Sequence, residues 1–236
     1  MTLHRFDRLE LLFGKEALTR LKGAKVMVFG VGGVGSYAVE ALVRGGVGSL
    51  TLIDFDRVCI TNSNRQIHAN AETVGEGKVQ VMAARARLIN PDLHVTPLNL
   101  FFEKSLCGEL LDPPPDYVLD CIDNITAKLD LIEYCVMKGI PVISSMGAAN
   151  KIDPTLIRVD DISRTSTCRL AKVIRKTLRK RGIPRGVNVV YSLEEFHPLA
   201  AVATDSGVTA LPDGARARVP LGSASYIPPI FGLTMA

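Results

Sequence analysis

The chain has 236 residues, a formal net charge of +4, 47% hydrophobic residues and no low-complexity tract. That length can bury one large core, or a core with an extension, and the composition excludes a disordered protein. No uncharged apolar run reaches the roughly eighteen residues that a membrane span needs. The start, Met1-Thr2-Leu3-His4-Arg5-Phe6-Asp7-Arg8, is too charged for a signal peptide; a cytoplasmic protein is predicted.

Val26-Met27-Val28-Phe29 reads as a buried parallel strand feeding Gly30-x-Gly32-Gly33-x-Gly35, with a helix from Val34 to Arg44. This is a phosphate-binding turn: its glycines let the backbone approach an anion, and the helix start supplies free N–H groups and a positive dipole. A second apolar run, Leu50-Thr51-Leu52-Ile53, ends in Asp54, a carboxylate placed to accept from ribose hydroxyls. Up to this point NAD and ATP fit equally well.

The segment beyond the second strand tips the balance. It holds Asp54-Phe55-Asp56, then Asn62-x-x-Arg65-Gln66, then Lys78, then Asp120-Cys121-Ile122-Asp123-Asn124. A dinucleotide's two phosphates are served by the glycine turn, so an added Arg65 and Lys78 point to a longer polyphosphate. Asp123, just past a strand end, can hold the Mg²⁺ that accompanies a triphosphate. Singly, Arg65 or Lys78 reads as a solvated charge and Asp123 as a helix cap; joint spacing carries the reading. In this order and spacing these elements resemble the ATP site of the ThiF/MoeB family, relatives of the ubiquitin-activating enzymes. The resemblance implies ATP and Mg²⁺, a nucleotide site built from Gly30, Gly32, Gly33, Gly35, Asp54, Asp56, Asn62, Arg65, Gln66, Lys78, Asp123 and Asn124, and catalytic work by Arg65, Lys78 and Asp123, with Asp123 as metal ligand.

Gly75 to Ile89 follows as a helix with Lys78 in its first turn, His94 to Leu98 as a strand, Tyr117 to Asp120 as another, Lys128 to Met137 as a helix and Pro141 to Ser145 as a strand. The alternation predicts an α/β fold: a Rossmann-like, doubly wound, mostly parallel sheet with a C-terminal α+β extension. Residues 1–150 would form the adenylation core and 151–236 the extension, in one compact unit. Before the first strand, Arg5-Phe6-Asp7-Arg8 with Gly14 resembles the family's short N-terminal helix, from which an arginine of a partner subunit reaches the nucleotide. Arg8 is then the finger of a homodimer; a surface ion pair with Asp7 or Glu10 accounts for it comparably well.

The cysteines, Cys59, Cys107, Cys121, Cys135 and Cys168, include no Cys-x-x-Cys pair, and His4, His68, His94 and His197 are dispersed, so the zinc site of several ThiF/MoeB relatives cannot be built and no zinc is expected. Cys121 and Cys135 lie among apolar neighbours and read as packing residues. Asn62-Ser63-Asn64-Arg65-Gln66-Ile67-His68-Ala69, together with Ser145-Met146-Gly147-Ala148-Ala149-Asn150-Lys151-Ile152-Asp153-Pro154-Thr155, is similar to a narrower branch, the tRNA threonylcarbamoyladenosine dehydratases. That likeness implies a monovalent cation, K⁺ or Na⁺, near Gly147 to Asp153, and leaves room for a sulfur- or electron-transfer protein partner. In some members a cysteine stands near Arg218-Val219-Pro220-Leu221-Gly222-Ser223-Ala224-Ser225; none does here, which argues against a cysteine-dependent sulfur step. The chain's last residues, Phe231 to Ala236, read as part of an apolar helix.

From Arg164 to Arg185 come nine basic residues and no acid: Arg164, Arg169, Lys172, Arg175, Lys176, Arg179, Lys180, Arg181 and Arg185. Leu170, Val173, Ile174 and Leu178 repeat at helical spacing within them, which predicts an amphipathic helix over Arg169–Arg181 with a cationic outer face for tRNA, weighed against an ordinary solvated face or an acidic membrane surface. The function expected is ATP-dependent dehydration and cyclisation of threonylcarbamoyladenosine in tRNA through an acyl-adenylate. Two readings stand beside it: adenylation of a ubiquitin-like sulfur carrier's C-terminus, and a NAD-dependent oxidoreductase.

Overall fold

The structure is a computed structural model describing residues 3–196 and 221–236. Residues 218–220 and His197 therefore lie outside the described residues. Two short helices, α1 (Asp7–Phe13) and α2 (Lys15–Gly23), precede β1 (Lys25–Phe29), and the chain then alternates: α3 (Gly35–Arg44), β2 (Ser49–Ile53), α4 (Lys78–Ile89), β3 (His94–Leu98), α5 (Cys107–Leu110), β4 (Tyr117–Asp120), α6 (Ile125–Lys138) and β5 (Val142–Ser145). Beyond them lie β6 (Ile157–Asp161), α7 (Arg169–Lys180), β7 (Asn188–Ser192) and α8 (Ile227–Met235).

All seven strands join one sheet in the order β3-β2-β1-β4-β5-β7-β6. Every pairing is parallel except β6 with β7, which is antiparallel. The strand order reverses between β1 and β4, the place where open α/β sheets leave a crevice at their carboxyl ends. Strands β6 and β7 extend the same sheet, so the C-terminal extension shares the hydrogen-bond ladder of the core rather than standing beside it.

The sequence dictates this layering. Val28, Leu50, Leu52 and Leu119 on the strands are buried against Ala38, Val39 and Val43 of α3 and Val79, Met82 and Ala86 of α4. On the opposite face Met27, Phe29 and Val118 meet Ala127, Leu131 and Cys135 of α6. Burying one such Val, Leu or Phe contributes about 1.5–3 kcal/mol over leaving it exposed, which is why short β-branched runs between amphipathic helices settle into a two-sided sheet. The final helix, α8, packs onto the first face: Ile227, Phe231 and Met235 belong to the same cluster as Val39 and Val43.

Candidate active site

A cleft of about 1190 Å³ opens at the carboxyl ends of β1, β2, β4 and β5. Gly30, Gly32, Gly33, Asp54, Asp56, Asn62, Arg65, Gln66, Lys78, Asp123 and Asn124 all line it. Gly35 is buried at the start of α3 beneath the turn, and Arg8 is exposed on α1, away from this cleft.

The turn is held at both edges of β1, because Gly30 N–H donates to the Ile53 carbonyl of β2 (2.7 Å) and Cys121 N–H donates to the Phe29 carbonyl (2.8 Å). Gly30 sits at φ +87°, and a Cβ there would come within 2.8 Å of the Cys121 carbonyl oxygen. Only glycine fits a left-handed position that close to a neighbouring backbone. Asp54 braces the turn from β2: its Oδ2 accepts from Val31 N–H at 2.6 Å and its Oδ1 from Asp56 N–H at 2.8 Å. Burial raises the pKa of this carboxyl, and the two N–H donors and Lys78 only partly oppose the rise. Each oxygen keeps a lone-pair direction for a ribose hydroxyl.

Lys78 is the first residue of α4 and is buried; its Nζ donates to Asp56 Oδ2 at 2.6 Å. Arg65 is half-buried and donates to the Thr61 carbonyl and to Asn64 Oδ1, both at 2.9 Å, which folds the loop after β2 over the glycine turn. Asn62 Oδ1 accepts from Cys59 N–H at 3.0 Å, so part of its work is to fix that loop. Gln66 is buried and its Oε1 has no partner among the described residues.

Asp123 and Asn124 divide the tasks that the sequence left between them. Asn124 Oδ1 accepts from Thr126 N–H at 3.0 Å and Ala127 N–H at 3.1 Å, capping α6. Asn124 is thus committed to the helix, and the exposed Asp123 carboxylate is left to the cleft. Sequence reasoning missed what holds this loop. Asp120, Lys128 and Ser144 form a cluster with both charged side chains fully buried: Lys128 Nζ lies 2.7 Å from Asp120 Oδ2, and Ser144 Oγ donates to the same oxygen at 2.6 Å. Asp120 Oδ1 accepts from Ile122 N–H at 3.1 Å, which carries the fixed cluster into the Asp123 loop. A lysine on the inward face of an apolar helix was the available signal.

The far wall of the cleft was also unforeseen. It is made by Gly147, Ala148, Ala149 and Lys151 of the loop after β5, by Thr167, Cys168 and Arg169 at the start of α7, and by Phe196 and Leu221–Ser223. The basic helix therefore begins inside the cleft rather than apart from it. Its inward face is Ala171, Ile174 and Leu178, and Val173 points outward, because a 3.6-residue repeat allows only a narrow stripe to face a single neighbour. Cys121 and Cys135 are packing residues: burial pushes the Cys121 thiol up strongly and that of Cys135 up to about 12. No group of three or more His, Cys, Asp or Glu comes together as a metal cluster among the described residues.

A parallel sheet with a glycine turn at its reversal point, and a cleft walled by Arg65, Lys78 and Asp123, defines an α/β nucleotide-binding protein. The chain belongs to the ThiF family, whose sequence model matches residues 6–236. It is 46% identical over 236 residues to the tRNA threonylcarbamoyladenosine dehydratase of Bacillus subtilis (strain 168), covering 99% of this chain and 92% of that relative. Its structure is similar to the crystal structures of Escherichia coli tRNA N6-threonylcarbamoyladenosine dehydratase, TcdA, in complex with AMP (TM-score 0.85, 37% identity) and with ATP (TM-score 0.84, 36% identity), each match covering 98% of this chain and 90% of the other.

Proposed function

We propose that this chain is an ATP-dependent dehydratase that cyclises threonylcarbamoyladenosine in tRNA. The observation that carries this reading is similarity over the full length to proteins of that name, joined to a cleft with room beyond the nucleotide wall. The same coverage favours it over a sulfur-carrier adenylase, since the likeness includes β6, α7 and β7 as well as the ATP-site half. Two ligands meet in the cleft. The glycine turn and the α3 N-terminus receive phosphate, Asp54 the ribose, and Asn62, Arg65 and Lys78 the rest of the triphosphate.

The substrate carboxylate attacks the α-phosphorus and pyrophosphate leaves. A carbamoyl nitrogen or oxygen of the same nucleoside then attacks the acyl carbon; AMP departs with one carboxylate oxygen, and the ring closes with loss of a proton. The water removed leaves as that oxygen on AMP and the protons released. Such a sequence asks the protein for position and charge rather than for a covalent nucleophile. Among the described residues Asp123 is the cleft carboxylate with neither a cap nor a lysine to serve, since Asp54 braces the turn and Asp56 meets Lys78. One free carboxylate beside a polyphosphate is a fitting donor set for Mg²⁺, which would neutralise charge on the phosphates. A K⁺ or Na⁺ near Gly147–Asp153 would be held by backbone carbonyls of a loop that carries Lys151, whose Nζ donates to the Glu194 carbonyl at 2.6 Å, together with the carboxylates of Asp153 and Glu194.

Residues 1–150 serve as the adenylation core and 151–236 as the substrate-facing extension, with tRNA lying on α7 in the cytoplasm; no helix among the described residues is long and apolar enough to cross a membrane. Homodimerisation is supported by α1, where Leu11, Leu12 and Phe13 are exposed beside Arg8. Incubating the protein with ATP, Mg²⁺ and tRNA bearing threonylcarbamoyladenosine, followed by nucleoside mass spectrometry, should yield a product lighter by one water. Unchanged nucleoside with NAD binding in place of ATP would overturn the reading.

A further inference from the structure

Lys151 is 6% exposed and lines the cleft, and among the described residues its ammonium has a single partner, the Glu194 carbonyl at 2.6 Å. No described carboxylate pairs with it: Glu194 directs its own carboxylate to Ile152 N–H and Asp153 N–H, each at 3.0 Å, and so fixes the loop. A buried cation without an anion is costly unless a ligand supplies one. The residue before it pins the loop. Asn150 Nδ2 has no acceptor among the described residues, while Asn150 is held at φ +54° by Gly222, whose carbonyl takes the Asn150 N–H (2.9 Å) and whose N–H donates to Asn150 Oδ1 (2.6 Å).

A buried ammonium on the cleft wall calls for an anion. The triphosphate is accounted for on the other wall by the glycine turn, Arg65 and Lys78, whereas the Lys151 loop follows β5, beside the β4 end that carries Asp123. Next to this loop α7 begins, and there the Arg169 guanidinium lies 3.9 Å from the centre of the Phe196 ring, a flat cationic and aromatic pair at the cleft's edge. We propose that this half of the cleft is the nucleoside subsite: Lys151 holds the carboxylate that is to be adenylated, and the Arg169–Phe196 pair is the surface on which the adenine base lies. Holding the carboxylate on an ammonium lets it approach an α-phosphate that would otherwise repel it. This inference rests on the dehydratase reading above.

The test uses the full chain with Mg²⁺ and α,β-methylene ATP, which binds without being cleaved, and an RNA hairpin carrying threonylcarbamoyladenosine either as the free acid or as its methyl ester. The wild-type protein should bind the acid about tenfold more tightly than the ester, the scale of one charge-assisted hydrogen bond. Lys151→Met should bind both alike, with unchanged affinity for the nucleotide analogue, Lys151→Arg should restore part of the preference, and Arg169→Ala should weaken both hairpins together. Equal binding of acid and ester by the wild type, a comparison that needs no variant to fold, would overturn the assignment. So would a preference that persists in Lys151→Met. Failure of the underlying reading looks different: the wild type would then leave the tRNA nucleoside unchanged with ATP, whatever its preference between the hairpins.

Discussion

Four aspartates stand at or just past the ends of β2 and β4, and their surroundings give each a different task. Asp120 is locked to Lys128 and Ser144, Asp54 to two backbone donors and Asp56 to Lys78, which leaves Asp123. Asp123→Asn should therefore reduce pyrophosphate release by at least about a hundredfold while the melting temperature stays within about a degree or two, because an exposed carboxylate that becomes an amide of the same shape leaves the core untouched. Pyrophosphate release near the wild-type rate from a folded variant would remove Asp123 from the reaction. His68 makes a second prediction, about stability. Both ring nitrogens are buried without partners among the described residues, and burial, with Lys78 and Arg85 adding to it, lowers its pKa from 6.5 to about 4. Below pH 6.5 the unfolded chain takes up a proton that the folded chain refuses, so stability falls as pH drops from 6.5 towards 4, by on the order of 3 kcal/mol in all. Thermal melting across that range should show the decline, and His68→Gln should flatten it; an equal slope in the variant would assign the effect to other groups.

Among the elements, α7 shows how charge read from sequence is redistributed by tertiary pairing. Arg175 donates to the Thr165 carbonyl at 2.6 Å, Arg181 pairs with Asp130 (2.7 Å) and Glu133 (2.8 Å) of α6, and Arg164 pairs with Asp160. Apart from Arg169, exposed over Phe196 at the cleft's edge, the outward cations of α7 are Lys172, Lys176, Arg179 and Lys180. Replacing these four with glutamine should weaken tRNA binding and lower its slope against log salt by about 0.7–0.9 for each phosphate no longer neutralised, with ATP affinity unchanged. A parent-like salt series would make α7 an ordinary solvated face. The run itself was plain in the sequence, as were β1 to β5 with α3, α4 and α6, since apolar periodicity and turn residues are local signals; the single turn of α5 was not. The α6 acids that neutralise Arg181 were not, because Asp130 and Glu133 reach it only in the folded chain, whereas Asp160 stands just four residues before Arg164. Nor was the Asp120–Lys128–Ser144 cluster, whose members meet through the register of β4 with β5. The edge strand β6 and its neighbour β7 escaped as well: β6 is antiparallel and half-exposed, and both follow a loop with no strong period.

At the scale of the whole molecule the chain's end supports its beginning. A Cβ at Gly232 of α8 would lie 2.1 Å from the Val34 carbonyl oxygen, and one at Gly33 would meet Pro228 Cβ at 3.0 Å, so α8 presses on α3 and on the glycine turn together. Gly232→Ala should force these helices apart, costing about 1–3 kcal/mol and lowering the melting temperature by about 2–10 °C, with weaker ATP binding as the turn loses its backing. A variant as stable as the parent would show that the fit between the two helices is slack.

The proposed dimer is the other property of the whole molecule, and it makes one site depend on two chains. Arg8 is remote from the cleft of its own chain, yet α1 sets it beside the exposed Leu11, Leu12 and Phe13, a surface that a second copy could cover. If Arg8 completes the partner's nucleotide site, a chain with Arg8→Ala and a chain with Asp123→Asn each form inactive homodimers, but a mixed dimer holds one site with both defects and one with neither. Mixing the two variants, after partial unfolding and refolding to exchange subunits, should restore up to about half of the activity per mixed dimer, because one of its two sites is intact. A tagged heterodimer purified from the mixture and found inactive would confine each site to one chain and return Arg8 to an ordinary surface charge.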